Sequence, residues 1–156
     1  MVHTCGLYVD ESKYSSMMKL LMMFFVLWAV HASAQQGTLV LSITGIDIRK
    51  GGDLAAAIFT KGNFPKVGKH LMGLEAPVTS SSMELIITDA PPGDYGIAVF
   101  QDTDRNKQLK TNFFGLPQEP TGFSNDARIR FGPPSFEDAR VTVIKDRKTF
   151  ATIILR

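Results

Sequence analysis

The chain has 156 residues, 44 % of them apolar, and 17 Lys and Arg against 15 Asp and Glu, for a formal charge of +2. The two signs are interleaved, so there is no basic stripe for nucleic acid and no acidic tail to act as a solvating segment. The chain has a single cysteine and three histidines. Once the leader described below takes Cys5, His3 and His31, the one histidine left, His70, cannot build a zinc centre of the usual Cys and His kind.

Lys19 precedes an apolar run, Leu20 to Val30, that ends in His31 and Ala32-Ser33-Ala34. A basic residue, about a dozen apolar residues and a small-x-small site follow the order of a secretory signal peptide, and the run is shorter than the roughly 20 residues a bilayer span needs. Asp10 and Glu11 do not suit an n-region, which places the expected start at Met17 or Met18 rather than Met1. Residues 1–34 are therefore read as leader and 35–156 as one mature domain with no membrane span, exported to the periplasm or the medium. Cys5, His3 and His31 go with the leader, so the mature domain has no disulfide or thiolate, and a chain of about 120 residues must rely on its apolar core.

Leu39, Leu41 and Ile43 alternate with Val40, Ser42 and Thr44 and predict a half-buried strand ending at Gly45. Asp53 to Thr60 is a second strand after Gly51-Gly52, its alanines leaving helix as the alternative, and 64–75 is long enough for a short helix. Met83, Leu85 and Ile87 alternate next, with Ile86 the exception. Pro92-Gly93 reads as the centre of a type II turn, and Tyr95, Ile97 and Val99 continue as a strand. Val141 to Ile144 and Phe150 to Leu155 are two last strands about the charged turn Lys145 to Lys148. Many short strands separated by turn signals predict an all-β antiparallel sandwich.

The segment from Gln101 to Asp138 is polar and rich in Gly, Pro, Asn and Asp, yet holds Phe113, Phe114, Phe123, Phe131 and Phe136. Long connections in compact domains are functional or disordered, and phenylalanines are anchors that a solvated linker does not need; an ordered loop is expected.

The run Leu85 to Val99, with Pro-Gly-x-Tyr between two apolar strands, resembles transthyretin-like and carboxypeptidase-regulatory-like sandwiches. In that pattern the tyrosine packs at the core edge and uses its hydroxyl on nearby backbone. The blocks Asp102-x-Asp104-x-Asn106, Thr111-Asn112, Gly122-Phe-Ser-Asn125 and Phe131-Gly-Pro-Pro-Ser-Phe-Glu-Asp-Ala139 are similar to the bacterial family called domain of unknown function 2141. The resemblance runs from the Leu39 strand to Leu155 and implies an exported Greek-key, immunoglobulin-like or transthyretin-like β-sandwich. The chain departs from the family pattern where Gln101, Lys107 and Lys110 replace a His, a Gly and an Asp.

Candidate site residues are Asp102, Asp104, Asn106, Asn112, Glu119, Phe123, Ser124, Asn125, Phe131, Phe136, Glu137 and Asp138. Asp102, Asp104 and Asn106 sit at alternate positions, as ligands do at the start of a Ca²⁺ loop, but Lys107 and Phe113 stand where the EF-hand template has Gly and Glu. The expectation is that Asp102 and Asn106 accept backbone N–H bonds and order the loop, with calcium binding as the alternative. Lys107 is expected to resist a tight turn.

Ser124 lacks the G-x-S-x-G elbow, and His70 is the one mature histidine, so a Ser–His–Asp triad is not expected. Glu119, Glu137 and Asp138 suit paired-carboxylate hydrolysis, although Ser135 with Asp138 reads as a helix cap. No motif calls for a cofactor. The function expected is a non-enzymatic binding or accessory module that uses the 101–138 loop as its platform for a small molecule, glycan or envelope protein. A carboxylate-dependent extracytoplasmic hydrolase is the alternative.

Export predicts that the protein recovered from the envelope or medium begins at Gln35 by intact-mass spectrometry. A full-length chain kept in the cytoplasm would contradict the signal-peptide reading.

Overall fold

The computed structural model describes residues 36–113, 116–130 and 132–156; the leader, Phe114, Gly115 and Phe131 lie outside them. The strands are β1 (Gly37–Thr44), β2 (Asp53–Phe59), β3 (Met72–Pro77), β4 (Ser82–Ala90), β5 (Gly93–Asp102), β6 (Thr121–Phe123), β7 (Arg140–Val143) and β8 (Lys148–Ile154). A single helical turn, α1 (Phe136–Ala139), precedes β7, and 3-10 turns occupy Ile48–Lys50 and Ser124–Asp126. One sheet has the order β4-β1-β8; the other runs β3-β2-β5, with β6 and β7 sharing the far edge of β5.

The period-2 pattern puts Leu39, Leu41 and Ile43 of β1 opposite Leu54 and Ile58 of β2 and Ile97 and Val99 of β5, all fully buried. Together with Leu85 and Ile153 they fill the space between the sheets. Burying a side chain of this size is worth about 1.5–3 kcal/mol, which is what a disulfide-free domain depends on.

The all-β sandwich expected from the sequence is present, with several departures. The pairings are antiparallel except β1 with β8, which is parallel, Leu41 facing Ala151. The charged turn after β7 carries the chain to the other sheet instead of closing a hairpin, and it is pinned there by Asp146 N–H to Gln36 O at 3.1 Å and Thr38 N–H to Arg147 O at 2.9 Å.

No helix forms over 64–75. Pro65 and Gly68 break it into separate turns, and Met72 opens β3, an edge strand with alternating exposure. The long connection is also divided, since β6 pairs with Ala98 to Phe100.

The type II turn is absent as well. Gly93 is already the first residue of β5, facing Val143, with φ +154°. Tyr95 behaves as the turn pattern predicts: it is buried, and its hydroxyl donates to the Pro91 carbonyl at 2.9 Å. Burial pushes the Tyr95 hydroxyl pKa up.

A side chain on Gly93 must adopt a backbone region that favours glycine, with its Cβ in contact with Tyr95 Oη at 3.4 Å. Gly93→Val should therefore lower stability by about 1–3 kcal/mol in denaturant melts. An unchanged midpoint would show that the strand start tolerates a β-branched residue.

Candidate functional site

β5 ends in two buried polar residues, Gln101 and Asp102. The Gln101 amide donates to the carbonyls of Asp47 and Gly51 at 2.8 and 2.7 Å and accepts from Asp47 N–H at 3.0 Å, fastening the β1–β2 connection. The Asp102 carboxylate accepts from the N–H groups of Asn106 at 3.1 Å and Lys107 at 2.7 Å. Asp104 accepts from Asn106 N–H at 3.2 Å, and Asn106 accepts from Gln108 N–H at 2.7 Å.

Glu119, also buried, takes Thr103 N–H at 2.9 Å, the Thr103 hydroxyl at 3.0 Å and Lys110 N–H at 3.1 Å. Asn112 closes the next turn by accepting from Leu116 N–H at 2.9 Å. Buried polar groups are kept only with partners, and here the partners are backbone donors of the connection itself. The tight turn that Lys107 was expected to resist does form, with Arg105 and Lys107 in the left-handed region at φ +58° and +61°.

The Gly-Phe-Ser-Asn block repairs a gap in the sheet. β7 pairs with β5 up to Gly96 and β6 from Ala98, which leaves Ile97 without a strand partner on that side. Fully buried Ser124 fills the place: its hydroxyl accepts from Ile97 N–H at 3.1 Å and donates to the Ala139 carbonyl. A serine buried this way has no open approach for nucleophilic attack. Asn125, left-handed at φ +58°, donates to Arg140 O at 2.8 Å.

Gly122 is required by close packing, because a Cβ there would lie 2.6 Å from Ile154 O. Phe123 and Phe136 are anchors as expected, both meeting Phe64 edge-on at centroid distances of 5.8 and 6.0 Å. Phe113 is instead 97 % exposed. Ser135 caps α1 by accepting from Asp138 N–H at 3.2 Å and donates to the Asp138 carboxylate at 2.7 Å. Glu137 pairs with Lys61 at 2.7 Å, and that hydrogen-bonded ammonium holds its pKa below the ordinary carboxylate value.

The feature that sequence reading did not single out lies on the outer face of the β3-β2-β5 sheet. Register places Gly73, Ala57 and Ala98 in one row across three strands, with Glu75, Ala55 and Phe100 in the next. A row of hydrogen atoms and methyl groups leaves a trench between taller neighbours. The segment 65–70 walls one side and Lys107 to Leu109 the other, enclosing a groove of about 670 Å³. Ligand pockets usually have about 300–1,000 Å³.

His70 edges the groove beside Gly73 and meets Phe59 edge-on at 6.3 Å. The ion pair of Lys107 with Glu75, at 3.0 Å, stands at its rim. The sequence signal was Asp53 to Phe59, where every outward position between the charged start and Phe59 is alanine.

Oxygens of Asp102, Asp104 and Glu119 lie within 4.8 Å of one another, so Glu119 joins the two aspartates in an acidic cluster. Each of the three already accepts backbone N–H bonds. Among the described residues no two carboxylates face each other across the groove, whose lining contains Glu75 as its acidic group.

Residues 41–151 match the family model described as "Uncharacterized protein conserved in bacteria (DUF2141)". No curated protein and no solved structure matches the chain.

Asp102→Ala removes the acceptor for two N–H groups of the connection and should destabilise by about 1–2 kcal/mol, equally with chelator or with millimolar Ca²⁺. If the acidic cluster instead takes calcium, the wild type gains about 2.7 kcal/mol at one hundred times the dissociation constant and the variant gains nothing. Thermal melts with and without calcium distinguish the two.

Proposed function

This chain belongs to the DUF2141 family, and from that premise we propose that it is an exported, non-enzymatic binding module whose ligand lies in the groove on the outer face of the five-stranded sheet. The observation that carries the reading is the Gly73–Ala57–Ala98 row under two ordered walls, because a sheet face needs no such trench for stability. A rigid sandwich that presents loops around a depression is a common binding arrangement. The 101–138 connection takes part through Lys107, Gln108 and Leu109, which form one wall. A groove of this volume suits a small molecule better than the flat patch a protein partner covers.

Export through the leader, and a Greek-key, transthyretin-like classification of the sandwich, belong to the same reading. The first is supported by the Lys19, apolar-run and Ala-Ser-Ala order, the second by the Tyr95 hydroxyl on Pro91. The hydrolase alternative loses support because Asp102, Asp104 and Glu119 are bound to backbone donors and Glu137 to Lys61. A cation site draws support from the convergence of Asp102, Asp104 and Glu119, and the calcium melts above decide it.

The neutral apolar fluorophore N-phenyl-1-naphthylamine should brighten on titration with the protein and stop doing so in Ala57→Phe, which fills the floor of the trench. Because Ala57 faces outward, the variant should keep its stability to within about 0.5 kcal/mol. Equal fluorescence in both proteins, or none in either, would refute the groove as the binding site.

A further inference from the structure

The charges around the groove name the class of its ligand, an inference that rests on the groove being the binding site. The segment 60–71, whose residues 65–70 wall the groove, carries Lys61, Lys66, Lys69 and His70 and no acidic residue; of these four His70 lines the groove. Lys61 is engaged by Glu137 at 2.7 Å, and Lys66 donates to the Gly62 carbonyl at 2.9 Å. Lys69 makes no ion pair among the described residues and sits between Gly68 and His70, both of which line the groove.

On the opposite wall Lys107 reaches the rim. Glu75 accepts one of its N–H bonds, and an ammonium has three, so two remain for a ligand. The interior between these walls is apolar: Ala57 and Ala98 below, with Phe100, Val67 and Leu109 at the sides.

We propose that the groove binds an anionic amphiphile, an acyl chain or flat apolar body that ends in a carboxylate. The apolar part lies along the Gly73–Ala57–Ala98 floor. The carboxylate sits at the rim and accepts from Lys107, with Lys69 contributing charge from the facing wall. Glu75 orients the Lys107 ammonium toward the rim and, by hydrogen bonding to it, raises its pKa above the ordinary lysine value, so the seat stays cationic throughout the neutral range. A neutral amphiphile of the same length fills the same floor and forgoes the charged rim contact, while a cationic one meets the Lys107 ammonium and finds Glu75 already engaged by it.

The test uses the protein loaded with N-phenyl-1-naphthylamine and three competitors with one chain length: dodecanoate, dodecanol and dodecylammonium. Dodecanoate should displace the dye at about a tenth of the concentration that dodecylammonium needs, as expected when one exposed ion pair is exchanged for a repulsion. In Lys107→Gln that preference should fall by several-fold, and in the double variant with Lys69→Gln it should disappear, with the dodecanol midpoint as the reference for each protein. Raised salt should narrow the preference in the wild type. If the dye does not bind at all, the groove reading itself fails. If the dye binds but the three headgroups compete equally, or the ammonium competes best, the groove stands and the anionic class is overturned. A carboxylate preference that survives the double variant would overturn the lysine seat.

Discussion

The arrangement depends on one requirement: the backbone donors of the segment that follows β5 need acceptors, and Asp102 supplies the decisive ones. Its carboxylate takes Asn106 N–H and Lys107 N–H at once. That closes a turn in which Arg105 and Lys107 hold left-handed backbone conformations that L residues resist by roughly 1–2 kcal/mol each. Charge-assisted hydrogen bonds in a site shielded from water are strong enough to offset that strain. Glu119 does the same from the far end of the connection, binding Thr103 and Lys110, so the segment is ordered from both sides by buried carboxylates. The same backbone that Asp102 fixes bears the Lys107 side chain at the groove rim, which makes loop order and binding geometry one problem.

The opposite wall is set by packing instead of polarity. Phe64 drives its ring over Gly96, where any Cβ would come within 2.5 Å of it, and meets Phe59, Phe123 and Phe136 edge-on. Edge-to-face aromatic pairs add about 0.5–1.5 kcal/mol each beyond their buried area. Segment 65–70 therefore leaves a fixed point before it crosses the edge of the groove. The two walls are held by unrelated forces, and a substitution that loosens one leaves the other in place.

The strands with clean alternation were legible in the sequence because β1, β4 and β5 each bury one face, and a period of two records that directly. β3 was not legible: half-exposed Met72, Leu74 and Ala76 on an edge strand carry little apolar signal, and neighbouring Pro65 and Gly68 disguise its start. The parallel β1–β8 pairing was hidden as well, since alternation shows which residues are buried and is silent on strand direction. Asp102, Asn106 and the helix cap Ser135 have the local hydrogen-bonding roles their spacing suggested, for such bonds join residues close in sequence. The Ser124 bond to Ile97 spans the sheet, and nothing near Ser124 in the chain announces it. The groove was missed for a related reason. An alanine in a strand reads as a weak core residue, and only the register that lines up Gly73, Ala57 and Ala98 turns absent side chains into a shape.

The acidic cluster shows how the same residues admit two chemistries and what separates them. Three carboxylates within 4.8 Å are a repulsive arrangement that needs positive charge nearby. A cation would supply it, and so do partial charges: the N–H groups of Thr103, Asn106, Lys107 and Lys110 all point at these oxygens. Donors already aimed at a carboxylate lower the gain from a metal, because binding would have to displace them or make do with the lone pairs they leave. Lys107, whose ammonium is attracted to Asp102, adds a whole charge near the cluster. The same lysine lines the groove, so the acidic cluster and the proposed anion seat share one residue.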